Sequence, residues 1–273
     1  MNKEILEFMK SMAREAGQVM MERLHGDYQV YVKPDRSRVT DVDLAISEKV
    51  QEAVARQFPH IGLYSEESSK KEILPGRPYF IVDELDGTSS YIDDKTGFSH
   101  QAAYFEPGKG LQIGLIYYPW NDALLYAVKG EGAYLEQEGE TRRLAPPPPK
   151  PFHQLTYYHS ARYRGEKYIE LFRSLGVGDN RIVRTDARRS LLMALGQLDV
   201  CLRLRFRIAI WDLAGEQTIL EELGFSHCYF DGSPIRFGHE PPRGNRGYLL
   251  CPAQWKEKFL EELPGLLPRE QKP

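Results

Sequence analysis

The chain has 273 residues, of which 41% are apolar and 27% charged, and a net charge of -3. That is apolar mass for one large domain or two smaller ones with real cores. The charge balance leaves no basic footprint for a nucleic acid polymer or an anionic membrane surface. No run approaches the ~20 apolar residues of a membrane span. The three cysteines, Cys201, Cys228 and Cys251, are widely separated. They read as small buried residues of a reducing compartment rather than as a disulfide framework.

The N-terminus predicts a helix over about 3–24, with Ile5, Met9, Met12, Ala16 and Val19 on one face and charges between them. No apolar signal-peptide core interrupts that pattern, so a cytoplasmic protein is expected. Val30-Tyr31-Val32-Lys33 reads as strand and Pro34-Asp35-Arg36-Ser37 as a turn. Thr40 starts a second helix running to about Phe58, before Pro59. Strand-like runs at 79–82, 100–105, 111–118, 124–128 and 132–135, with Gly between them, predict an antiparallel meander. The Pro-rich run 145–151 fits neither a helix nor a central strand. It is expected to be a semi-rigid connector between an N-terminal subdomain, 1–144, and a C-terminal one, 152–273. Beyond it, strand-like stretches at 156–158, 181–183, 199–206 and 247–251 alternate with helical ones at 165–175, 188–196 and 213–223. Such alternation predicts an α/β arrangement.

The densest chemistry lies in Asp83-Glu84-Leu85-Asp86-Gly87-Thr88, directly after the apolar strand run 79–82. Carboxylates, carbonyls and water are the ligands that hard cations such as Mg²⁺ accept. The spacing lets the Asp83 and Asp86 side chains and the Leu85 carbonyl converge on one point. Gly87 permits a tight turn, and Thr88 is left to orient a water. On its own the hexapeptide reads first as an Asp-Gly turn closing a strand. Three further acidic segments carry the same ambiguity. Thr40-Asp41-Val42-Asp43 has the spacing of a capping box. Ser65-Glu66-Glu67-Ser68 fits a solvated loop beside Lys70, Lys71 and Glu72. Asp212, in Trp211-Asp212-Leu213-Ala214-Gly215, can cap the helix that follows it.

Together and in this order, these four segments resemble the inositol monophosphatase family, Mg²⁺-dependent phosphomonoesterases. The family pattern is Thr-x-x-Asp, Glu-Glu-Ser, Asp-Pro-(Ile/Leu)-Asp-Gly-Thr and Trp-Asp-x-Ala. The run 129–134 is similar to its Gly-x-Gly-Ala-aromatic hairpin, and the likeness extends from about Lys3 to Cys251. The resemblance implies an α/β (α+β) fold, a layered α/β/α/β/α sandwich with metals at the seam between its halves. It implies two or three Mg²⁺ ions held by Glu66, Asp83, the Leu85 carbonyl, Asp86 and Asp212. Asp43, Thr88 and Glu66 are the catalytic candidates, Thr88 orienting the attacking water with Asp43 as its acidic partner. Asp86, Gly87, Thr88 and Asp212 would contact the substrate, with Gly87 and Thr88 offering backbone N–H groups to the phosphate. The implied reaction is attack by a metal-activated water on a small phosphate ester, without a covalent phosphoenzyme. A homodimer and lithium inhibition are implied by the family alone.

Departures from the pattern concern the leaving group and one turn. Glu84 stands where the family usually has Pro, and is expected either to face solvent or to perturb metal affinity. Ala214-Gly215-Glu216 replaces the common Ala-Ala-Gly. The stretch Arg184-Thr185-Asp186-Ala187 is charged where the family usually places Gly-Ser or Gly-Thr. Ser65, Leu85, Tyr117-Tyr118-Pro119 and His159-Ser160-Ala161-Arg162 are similar to the 3′(2′),5′-bisphosphate nucleotidase branch. Arg162, Arg184, Arg188, Arg189, Arg203, Arg205 and Arg207 make the second half locally basic. Arg189 and Arg203 are therefore candidates to bind a second phosphate, as in adenosine 3′,5′-bisphosphate. Those arginines equally fit solvated faces or pairs with nearby acids. An inositol or sugar phosphatase is the alternative within the same chemistry, and a binding or regulatory protein that has lost turnover is the alternative outside it.

Overall fold

The computed structural model describes residues 2–34, 36–68, 73–160, 166–185, 188–203, 209–238 and 247–266. The chain opens with α1 (Asn2–Arg23), a short hairpin of β1 (Val30–Val32) and β2 (Arg38–Thr40), and α2 (Asp41–Gln57). Then come β3 (Gly62–Ser65), β4 (Tyr79–Asp86), α3 (Thr88–Asp93), β5 (Ser99–Glu106), β6 (Gly110–Tyr118), β7 (Ala123–Val128), β8 (Gly132–Gln137) and β9 (Glu140–Arg143). The second half contributes β10 (Tyr157–Ser160), α4 (Glu166–Ser174), β11 (Ile182–Thr185), α5 (Arg189–Ala194), β12 (Cys201–Arg203), α6 (Trp211–Glu222), β13 (Phe225–Tyr229), β14 (Tyr248–Pro252) and α7 (Lys256–Leu266). The predicted meander is present as β4 to β9. It forms one seven-stranded sheet with β3, which pairs parallel to β4 at the edge.

Five layers follow from which faces are apolar. On one side of the large sheet, α1 buries Ile5, Met9, Met12 and Ala16 with Val42, Ile46 and Val50 of α2, against Phe80 and Val82 of β4. The strand period of two sends Tyr79 and Ile81 to the opposite side, where they meet Ile210 and Ala214 at the start of α6. Helices α5 and α6 lie between this sheet and the smaller one, β12-β14-β13, packing on Phe225, Tyr248 and Leu250. Leu249, Cys251 and Cys228 point away from them, to Leu171 and Phe172 of α4 and Phe259 and Leu263 of α7. The parallel pair β10–β11 joins this layer through a bridge between Tyr157 and Val200. The fold is thus the expected α/β/α/β/α sandwich.

Several short elements have no sequence signature. β3, β9 and β13, and the helix α7, arise where neighbours supply the pairing or the cover. Described residues 144–151 carry no helix or strand. This run is held at Lys150, whose ammonium donates to both Asp199 oxygens at 2.9 Å. The strand expected over 199–206 is observed at Cys201–Arg203, and 204–206 lie outside the described residues. All three cysteines are buried and free. Among the described residues, no helix is long and apolar enough to cross a membrane.

Helix α6 lies directly on the backbone of the large sheet. A Cβ on Gly215 would stand 3.0 Å from Leu115 O and 3.1 Å from Ala102 O. From the other side, a Cβ on Gly114 would stand 2.5 Å from Gly215 O and 2.7 Å from the Thr218 Cβ. These two glycines set how far Asp212, at the start of α6, reaches over β4. Gly114→Ala should therefore cost about 2 kcal/mol of overpacking and lower Tm by roughly 5 °C in a thermal melt. An unchanged Tm would contradict this close contact.

Candidate active site

Four chain segments meet where β3 and β4 end and α2 and α6 begin. In a regular strand Asp83 and Asp86, three apart, would face opposite sides. Here the register slips: Asp83 pairs with Gln101 but Asp86 pairs with Ser99. Glu84 and Leu85 together oppose the single residue His100, a β-bulge that turns both aspartates to the α6 face. Leu85 is sent into the core beneath α1 and α2, and Glu84 turns to the same side. Gly87 then takes φ +81°, as Gly alone does without strain, and starts α3 as its N-cap.

Glu66, Asp83 and Asp212 each present a carboxylate oxygen, and these lie within 4.8 Å of one another. Asp83 is 2% exposed, and its Oδ1 is buried with no hydrogen-bond partner. Burial, and then the charges of Glu66, Asp86 and Asp212, hold the Asp83 carboxyl well above the usual carboxylate range. Asp212 is pushed up to about 8 by burial and by Asp86 and Glu66, against the pull of Arg189 and Arg203. Burial also raises Asp86, whose Oδ2 accepts from Gln101 Nε2 at 2.6 Å and Ser99 Oγ at 3.4 Å. Two further carboxylates beside the orphaned, buried Asp83 make three hard oxygen donors that fit a divalent cation with oxygen-only ligation.

Asp43 and Thr88 form a second unit beside this cluster. Thr40 caps α2: its Oγ1 accepts from Val42 N at 3.2 Å and Asp43 N at 3.3 Å. Asp43 Oδ2 returns the bond, accepting from Thr40 N at 2.7 Å and from the Thr40 hydroxyl. The other oxygen, Oδ1, is 3.2 Å from the Thr88 hydroxyl, which also lies 3.0 Å from the Leu85 carbonyl. The capping box is real, and it leaves half of Asp43 for Thr88. Burial raises the Asp43 carboxyl to about 6 although Thr40 pulls it down.

The remaining candidates sit differently. Arg189 is 8% exposed, and its guanidinium is ion-paired with Glu216 at 2.8 Å, with a second contact at 3.2 Å. Its Nη2 also lies 3.5 Å from the Asp212 carbonyl. Arg203 lies over the Tyr158 ring, 5.7 Å from its centroid, with its charge felt at Asp212. Arg188 is exposed beside Trp120, 5.6 Å from that ring centre. Arg162, Arg205, Arg207, Asp186, Ala187, Lys70, Lys71 and Glu72 lie outside the described residues, as does the side chain of Arg184. Glu84 does not face solvent: it is fully buried, and its carboxyl is pushed up to about 7, chiefly by burial.

Sequence reasoning misses Lys33, Gln101 and Glu216. Lys33 Nζ bridges Glu66 at 2.8 Å and Glu67 at 2.5 Å. A lone lysine meeting acids 33 and 34 residues away has no local signal. Gln101 is identified by the strand register, and Glu216 by the buried face of α6.

Similarity to known proteins agrees with the fold. A solved inositol monophosphatase/NADP phosphatase, bound to Mg²⁺ and phosphate, superposes with a TM-score of 0.76 at 21% identity, over 99% of this chain and 95% of its own. The model of the inositol monophosphatase family matches residues 1–266, and the fold and match together define a phosphoric monoester hydrolase of metal-dependent type. The chain belongs to the inositol monophosphatase family. Its relatives include the inositol-1-monophosphatase of Bacillus subtilis, 27% identical over 89% of this chain and 92% of the relative. They also include the 3′(2′),5′-bisphosphate nucleotidase CysQ of Aggregatibacter actinomycetemcomitans, 26% identical over 90% and 92%.

The crowded carboxylates set the pH response of the metal-free protein. In the unfolded chain an Asp titrates near 4. Above that value the folded protein still holds protons on Asp83 and Asp212 that the unfolded chain has lost, so stability falls as pH rises. Buried His100 and His227, pushed down to about 4, act in the opposite sense, but only below about 6.5. Thermal unfolding in EDTA should therefore show stability falling from about pH 6.5 to 8, with a shallower fall in Asp212→Asn. A rise over that window would contradict the arrangement.

Proposed function

We propose that the protein hydrolyses a small phosphate monoester with Mg²⁺ held at the seam, and that the substrate is a 3′(2′),5′-bisphosphate nucleotide. The observation that carries the hydrolytic reading is the buried, unpartnered Asp83 oxygen within reach of Glu66 and Asp212. Glu66, Asp83 and the Leu85 carbonyl would hold one ion, and Asp83, Asp86 and Asp212 another. When bound, Mg²⁺ supplies neutralisation of phosphoryl charge and acidification of a water.

The chain's own groups do the positioning. Thr88 donates its hydroxyl proton to Asp43 Oδ1, leaving its lone pairs to accept from the attacking water and fix its direction. Thr40 holds Asp43 still from the other side. The amides of Gly87 and Thr88 open α3 without a side-chain cap, and donate to phosphate oxygens. Arg203, close enough to Asp212 to lower its pKa, takes the second phosphate. The similarity to CysQ supports this substrate.

A second reading, an inositol or sugar monophosphate, draws on one observation. Arg189 is ion-paired with Glu216, which draws one of the two expected arginines away from a second phosphate. Similarity to the Bacillus enzyme points the same way.

Phosphate release with Mg²⁺ from adenosine 3′,5′-bisphosphate, inositol 1-phosphate, fructose 1,6-bisphosphate and a simple sugar phosphate separates the readings, with Asp86→Asn as the inactive blank. Preference for the nucleotide is expected. Preference for inositol phosphate moves the assignment to the monophosphatase, and no release from any substrate favours a binding or regulatory role. Thr88→Ala should lower kcat by about 10²-fold or more with little change in the Mg²⁺ concentration giving half-maximal rate. Equal losses in both would contradict the water-orienting role.

A further inference from the structure

The carboxylate of Glu84 has no part in the reaction proposed above, yet it is 0% exposed. The bulge at β4 turns it to the α2 side of the sheet, away from Asp83. Parallel pairing of β3 with β4 ends at Ser65, opposite Val82. Glu66 N still donates to Val82 O at 3.1 Å. Just beyond it, Glu67 N donates to Glu84 Oε2 at 3.3 Å. Ser65 Oγ donates to Glu84 Oε1 at 2.7 Å and accepts from Ser68 N at 3.2 Å. Both partners are donors, and each carboxylate oxygen of Glu84 accepts from one of them.

We propose that Glu84 is a positioning residue for the cation site, its side chain tying Ser65 and Glu67 to β4 so that Glu66, between them, is presented to Asp83 and Asp212. The proposal rests on the reading of these three acids as cation ligands. Glu66 is flanked by the two residues that Glu84 holds. It stands beyond the end of β3, and its side chain is shared with Lys33 at 2.8 Å. Its direction is set by its own amide on Val82 and by its neighbours Ser65 and Glu67, both held by Glu84. Partners that orient a metal ligand without touching the metal govern affinity through geometry. Gln at position 84 keeps the shape but turns one accepting oxygen into a donor facing a donor.

The test is Mg²⁺ affinity by titration calorimetry for the wild type, Glu84→Gln, Ser65→Ala and Asp83→Asn, with thermal melts in EDTA to establish folding. Glu84→Gln and Ser65→Ala should each weaken Mg²⁺ binding about tenfold or more. The Mg²⁺ concentration for half-maximal turnover should rise in step, with a smaller change in substrate KM at saturating Mg²⁺. Wild-type affinity in a folded Glu84→Gln overturns the proposal. Should Glu84→Gln fail to fold, Ser65→Ala decides by the same criterion. Asp83→Asn keeps the two readings apart. If it binds Mg²⁺ like the wild type, the cation site itself is misassigned. If it loses Mg²⁺ while the other two variants keep it, only the positioning role fails.

Discussion

Mutual repulsion of carboxylates at one end of β4 is the constraint around which the rest of this structure is arranged. Two unit charges 4.8 Å apart at an effective dielectric of about 20 repel by about 3 kcal/mol, and here three acids crowd together with Asp86 beside them. An isolated segment would relieve this by turning its side chains outward. The fold prevents it by drawing the four acids from three separate elements: a strand bulge for Asp83 and Asp86, the segment just past β3 for Glu66, and the start of α6 for Asp212. Unloaded, the cluster relieves its repulsion by holding protons, which is why burial and neighbouring charge raise Asp83 and Asp212 together.

The scaffold that enforces this crowding uses backbone contact rather than side-chain bulk. Helix α6 approaches the sheet closely because Gly114 and Gly215 leave nothing between helix and strands. Glu216, one residue on, is thereby buried against α5, where Arg189 and Ser190 satisfy it. A buried carboxylate without such a partner would be strongly destabilising. The Arg189 charge pulls the Asp86 and Asp212 carboxyls down from behind, while Glu216 pushes Asp86 up.

Much of the fold was legible because its long elements bury one clear face. The period of α1, the cap at Thr40 and the Gly-punctuated strands from 79 to 135 all follow local rules. The short elements were not: β3 and β13 pair with strands further along the chain, and β9, the outer arm of a tight hairpin with β8, is exposed along its whole length and has no apolar face to announce it. The acidic segments were legible as types and order, but their convergence was not. A spacing of three on a strand points side chains apart, and only the extra residue opposite His100 brings Asp83 and Asp86 to one face. No glycine or proline inside the strand announces that bulge. For the same reason Glu84 read as a surface charge or a disturbance at the metal, whereas it is buried on the far side of the sheet, holding β3 in place.

The central claim is that the protonated, crowded carboxylates at the seam exchange their protons for a divalent cation. It is tested most directly by titrating Mg²⁺ into the metal-free protein near pH 7 in two buffers of different ionisation enthalpy, which counts the protons released per ion bound. Binding accompanied by proton release, with both lost in Asp83→Asn, is the predicted result. Binding without proton release, or binding indifferent to Asp83→Asn, would contradict it.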